Sequence, residues 1–70
     1  MGEIIKLTAR DLVSIYKTQK SELEVEHYRI QTMFDYYVYS FCEERGFVYW
    51  KLTQDQLTEC AYNFIEYNNK

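Results

Sequence analysis

The residue types that do chemistry are few in this chain and poorly spaced for it. Its one histidine, His27, closes a Glu-x-x-His with Glu24, the spacing that sets two metal ligands on one helix face in di-iron bundles. Such centres need a second copy of the motif and two further glutamates. Only a dimer could double the motif, so His27 reads as a polar rim residue and no metal site is expected. Two cysteines, Cys42 and Cys60, are too few for a disulfide scaffold and, with one histidine, for a self-contained zinc site. Each sits among aromatic neighbours and is expected to be a small buried hydrophobe. A nucleophilic cysteine or serine needs a base beside it, and nothing in the spacing brings His27 to one. With two glycines in the chain there is no glycine-rich phosphate loop. The expectation is a protein that is not an enzyme and uses no cofactor.

Charge narrows the partners. Eight lysines and arginines face eleven aspartates and glutamates, a net charge of −3, whereas wrapping a nucleic-acid backbone calls for a concentrated positive footprint. Residues 1–29 hold five basic and five acidic groups; residues 30–70 hold three and six, and carry the whole excess. The one basic stripe is Lys6, Arg10 and Lys17, within about 40° of one another on a helical wheel. Its ordinary reading is a solvated face; its sharper one is a contact for phosphates, the alternative function of a small nucleic-acid-binding regulator. A helix-turn-helix over residues 8–30 fits poorly, because its second helix would open Glu22-Leu23-Glu24-Val25-Glu26 and repel phosphate. No stretch approaches the ~20 apolar residues of a membrane span, and the start, Met1-Gly2-Glu3-Ile4-Ile5, does not read as a leader. A cytoplasmic protein with reduced thiols is expected.

Seventy residues, 47% hydrophobic and free of proline, suit one small domain spanning 1–70 that folds rather than stays disordered. A domain of this size is marginal alone, which makes self-association a reasonable source of extra burial. The pattern predicts a mainly α fold of three helices, about 9–20, 22–45 and 54–67, with two short extended segments, 3–7 and 47–52, that pair as a small ribbon. Two stretches echo each other: Ile4 to Leu12 and Tyr49 to Leu57 each read as an apolar run, a threonine N-cap and a helix start. Thr8 with Asp11 and Thr53 with Gln56 stand at capping-box spacing. From Thr8 onward, Leu12, Ile15, Tyr16, Gln19 and Leu23 fall near one face at helical spacing, broken only by Gln19. The stripe continues through Ile30, Phe34, Tyr37 and Phe41, so a single helix over residues 9–45 is the rival reading. At roughly 55 Å it would be too long for a compact monomer, and Ser21 with Glu24 offers a capping box for a break near Lys20–Ser21. Gly46 is the expected left-handed stop. Phe47–Leu52, dense in aromatic and β-branched residues, reads as the second extended segment; its aromatic run is expected in the core rather than stacked on bases. The third helix presents Leu57, Ala61, Phe64 and Ile65, and the tail from Asn68 is expected to fray.

The second helix carries the functional expectation. Opposite its core face, Leu23–Phe41, lies another apolar-aromatic stripe mixed with carboxylates: Val25, Tyr28, Thr32, Asp35, Tyr36, Tyr39 and Glu43. A helix apolar on two sides must be covered on two sides. Either the other helices flank it in a layered core, or the stripe is a two-fold homodimer seam, or it docks a different protein. Tyrosine suits interfaces because it joins a large contact area to a polar tip. Val25, Tyr28, Asp35, Tyr36, Tyr39 and Glu43 are therefore the candidate partner-binding residues of a protein–protein interaction module, a homodimer. By analogy, a small acidic tyrosine-rich chain would suit a phage or mobile-element inhibitor that occludes a basic, often nucleic-acid-binding, site on a host protein.

Overall fold

The computed structural model describes residues 6–69. Among these the chain forms three α-helices, α1 (Ala9–Lys17), α2 (Val25–Arg45) and α3 (Gln54–Asn68), with a 3₁₀ turn at Lys20–Glu22 and another at Tyr49–Lys51. The mainly helical expectation holds.

Local chemistry starts each helix. Thr8 caps α1, its hydroxyl oxygen accepting from the Asp11 amide at 3.1 Å. Thr53 and Gln56 close a full capping box at α3, with bonds of 3.1 Å and 3.0 Å, satisfying two amides that the first turn would leave unpaired. Gly46 stops α2 at φ 76°, a conformation open to glycine without strain; the Gly46 and Phe47 amides both donate to the Cys42 carbonyl. α3 runs on through Asn68, one residue past the expected end at 67, and the Asn68 side-chain amide donates to the Phe64 carbonyl at 2.8 Å.

α1 and α2 are separate helices, but the break lies elsewhere than expected. α1 ends at Lys17 instead of Lys20, because Thr18 turns extended and donates its hydroxyl back to the Ser14 carbonyl at 2.9 Å. Ser21 falls inside the first 3₁₀ turn, where the Glu22 amide donates to Gln19 and the Leu23 amide to Lys20. The Ser21–Glu24 capping box therefore does not form: α2 starts at Val25, with Glu24 in the cap position making no side-chain bond to the helix.

The extended segment at 47–52 is also corrected. Val48 and Leu52 have extended backbone, but Tyr49–Lys51 closes a 3₁₀ turn through the Lys51 amide and the Val48 carbonyl at 2.9 Å. No strand forms among the described residues. Of the proposed partner segment 3–7, Glu3, Ile4 and Ile5 lie outside the described residues, and Lys6 and Leu7 are in no strand.

The core joins all three helices: Leu12 and Val13 from α1, Phe34, Val38, Phe41 and Cys42 from α2, Leu57, Cys60, Ala61 and Phe64 from α3. Phe34 is its centre, meeting Tyr16 edge-on and Phe64 at a tilt, each at a ring separation of 5.2 Å. Both cysteines are buried here as free thiols, as expected. The inward face of α2 is rotated from the one the stripe predicted. Phe34 and Phe41 are buried, Ile30 and Tyr37 only partly, and the places beside them go to Gln31, Val38 and Cys42. Leu23 lies before the helix and Gln19 is exposed, so neither belongs to the core.

Candidate interaction face and the Asp35 cleft

The partner-binding residues expected on α2 divide between two sides of the helix. Val25 and Tyr36 are 88% and 72% exposed. Tyr28 and Glu43 are also exposed, Tyr28 lying beneath the Lys20 ammonium at 5.5 Å. Tyr36 borders an apolar groove of about 340 Å³ that Met33, Tyr37, Phe64 and Tyr67 line between α2 and α3. Asp35 and Tyr39 turn the other way, toward α1 and the second 3₁₀ turn. Tyr39 stacks flat on Tyr49, with 4.1 Å between ring centroids and 5° between planes, yet stays 53% exposed.

Asp35 is half-buried and corrects the expectation that it points outward. Its Oδ1 lies 2.6 Å from Tyr49 Oη and 3.2 Å from Tyr16 Oη, and the two hydroxyls stand 2.5 Å apart, so the two phenol protons are shared over three hydrogen-bonding contacts. This cluster holds the second 3₁₀ turn against α1 and α2. Burial, then the bonds to Asp35 and Tyr16, push the Tyr49 phenol well above its usual range. Burial also raises Tyr16, opposed by the bond from Tyr49 and reinforced by the Asp35 charge. A phenol so placed stays protonated at neutral pH and acts as a hydrogen-bond donor, not a base.

Beside the cluster opens a cleft of about 400 Å³, lined among others by Tyr16, Lys17, Lys20, Gln31, Asp35 and Tyr49. Gln31 is 3% exposed. Its Nε2 donates to the carbonyls of Ile15 and Thr18, both at 2.8 Å, and more weakly to Tyr16 at 3.4 Å. It thus ties down carbonyls that the end of α1 leaves without helical partners. Its Oε1 is buried with no hydrogen-bond donor among the described residues.

Two features escaped the sequence reading. Gln31 has no local motif, since its partners lie 13 to 16 residues away. Trp50 was expected inside, yet it is 81% exposed, and Val48 beside it is exposed too, while Phe47 and Tyr49 turn inward. Val48 and Trp50 alternate with Phe47 and Tyr49 about a segment covered on one side, but all four are apolar or aromatic, so the sequence carries no alternation that would tell them apart.

The basic stripe is less uniform than expected. Lys6 and Arg10 are exposed, but Lys17 Nζ donates to Gln54 Oε1, bracing α1 against the start of α3. His27 is half-buried, and among the described residues no three histidine, cysteine or acidic side chains converge. No described helix is long and apolar enough to cross a membrane. The chain matches no family model, no curated protein and no solved structure.

Proposed function

We propose that this chain is a non-enzymatic protein-binding module of the cytoplasm, working as a homodimer and through contacts made by α2 and the turn after it. The contact residues are Val25, Tyr28, Tyr36, Tyr39 and Glu43, with Asp35 at the edge and Trp50 added. The observation that carries this reading is the exposure of Trp50 and Tyr36 in a chain that already closes its core without them. Tryptophan and tyrosine are the residues that most often dominate binding energy. Exposed carboxylates on α2, Glu26, Glu43 and Glu44, fit a basic site on a foreign partner, which is the role of a small phage-type inhibitor.

Sedimentation of the wild-type chain and of a Tyr36→Ala/Trp50→Ala variant tests the proposal. Both residues are exposed, so the variant's stability should stay within about 0.5 kcal/mol of wild type. A concentration-dependent dimer that the variant loses supports the reading. A monomer at all concentrations removes the homodimer. If capture of basic proteins from a lysate is then equal for variant and wild type, the binding face is refuted. A mobility shift that survives moderate salt and is lost in Lys6→Gln/Arg10→Gln would replace it with the nucleic-acid alternative.

A further inference from the structure

The groove between α2 and α3 is built of rings and edged with carboxylates. Phe64 is buried at its floor, and Tyr36 and Tyr67 stand exposed at its rim. Tyr37 lies between, its ring centroid 5.3 Å from that of Phe64 and 6.2 Å from that of Tyr67. Among the described residues no charged side chain lines this groove. Beyond the Tyr37–Tyr67 pair lies a second cleft of about 260 Å³, lined by those two rings and by Glu66 among others.

The charge at the rim has one sign. Glu66 is exposed and makes no ion pair among the described residues. Glu44, also exposed, follows Tyr37 by seven residues, two turns along the same face of α2. Arg45, the basic residue that ends α2, is engaged by Glu59 at 3.6 Å and lies over the Phe41 ring. A second copy of this chain, at net charge −3, would meet that rim with like charge. A cation meets a carboxylate and a tyrosine face there, which attract it together. An occupant of both clefts must set an apolar group beside a cationic one. Side chains three or four residues apart on a helix stand together on one face, and a helix laid in a groove is a common mode of recognition.

We infer that this groove docks an amphipathic basic helix of a foreign partner, with an aliphatic side chain on Met33 and Phe64 and a lysine or arginine crossing Tyr67 to Glu66. The inference rests on the protein-binding reading above and shares Tyr36 with it; it adds the α3 side of the contact and the form of the partner.

Amide chemical shifts of the full chain, titrated at about 0.15 M salt to screen long-range attraction, test it. The probe is an alanine–lysine helical peptide carrying leucines at i and i+4. One control replaces its lysines by glutamate and another its leucines by alanine. The probe should give saturable shifts at residues 33, 36, 37, 64, 66 and 67, and neither control should saturate. Tyr67→Ala should weaken binding roughly ten-fold, and Glu66→Gln roughly three- to five-fold, the loss of one exposed charge pair. Tyr62→Ala, exposed on the same helix but outside both clefts, should bind as wild type does. All three side chains are exposed, so the melting temperatures should match wild type. The inference is overturned if the probe does not saturate, if either control binds as well, or if Tyr67→Ala and Glu66→Gln leave binding unchanged. Should those two variants bind normally while Tyr36→Ala/Trp50→Ala loses the peptide, the exposed aromatic face stands and the groove alone falls. Failure of the homodimer shows separately, as a wild-type monomer in sedimentation without peptide.

Discussion

Replacing Gln31 by leucine is the sharpest test of how α1 and α2 are held together. The substitution shortens the side chain by one heavy atom and removes its polar end. It deletes two strong bonds, to the Ile15 and Thr18 carbonyls at 2.8 Å, and a weak one to Tyr16 at 3.4 Å. The Ile15 carbonyl keeps the Thr18 amide at 3.1 Å, so its loss is partial, near the ~1 kcal/mol net worth of an ordinary bond. The part-buried Thr18 carbonyl loses its donor, a cost near the low end of the about 1–3 kcal/mol for stranding such a group. Against this, leucine removes the orphaned Oε1, a relief of about 1 kcal/mol. The balance is a destabilisation of about 1 kcal/mol, or roughly 4–8 °C in a domain this small.

Urea unfolding followed by far-UV circular dichroism measures that change directly. A control isolates its cause. Gln31→Glu puts a carboxylate against three carbonyl oxygens, and at neutral pH it should destabilise more than leucine does. Burial without donors raises that carboxyl's folded pKa above its unfolded value. Its stability is then fully present below the usual glutamate range of about 4.3 and is lost as pH rises through the folded value. Gln31→Glu should accordingly recover toward wild type in acid, while Gln31→Leu does not. Leucine at wild-type stability, or glutamate with no acid recovery, would refute the view that this side chain fastens the end of α1.

Three further outcomes follow from the same structure. Gly46→Ala should cost about 1 kcal/mol through backbone strain at φ 76° alone, because an added Cβ meets nothing within 4 Å; thermal melting reads it, with Gly46→Asn intermediate. Stability should hold below pH 10 and fall as pH rises past it, since the folded pKa values of Tyr49, Tyr16 and Tyr37 are raised by burial above the ordinary 10.0 and the unfolded phenols ionise first. Melting against pH should show Tyr49→Phe flattening that fall. Burial pushes the Cys60 thiol from 9.0 up to about 12, so iodoacetamide at pH about 8 should label it only through unfolding; labelling of the native chain as fast as in urea would contradict its place in the core.

Where structure was decided within a few residues, the sequence was enough. The Thr53–Gln56 capping box and the Gly46 stop need only neighbours, and both formed where their spacing put them. The helix boundaries near Lys20 needed more. Ser21 and Glu24 carried the right local chemistry, but the end of α1 is set by Thr18 and by Gln31, a residue on the next helix. The segment 47–52 shows the same override. Its aromatic and β-branched residues favour a strand, yet a strand here finds no partner among the described residues. The 3₁₀ turn instead brings Tyr49 onto Asp35 and flat against Tyr39, a tertiary gain that outweighs a propensity scale spanning about 1 kcal/mol.

The two-sided character of α2 has a divided explanation. Part of its outer stripe serves the fold: Asp35 anchors two phenols, and Tyr39 covers one of them. Replacing either loosens the second 3₁₀ turn, so lost binding in an Asp35 or Tyr39 variant would confound recognition with stability. Val25, Tyr36 and Trp50 lie at the other extreme, exposed and outside the core. Surface changes of that kind leave stability nearly untouched, so at these three positions a loss of association reports on the interface itself. The six positions read from the helical wheel are thus of two kinds, and the difference arises from which neighbouring element each side chain can reach. A wheel drawn for one helix contains no such neighbours.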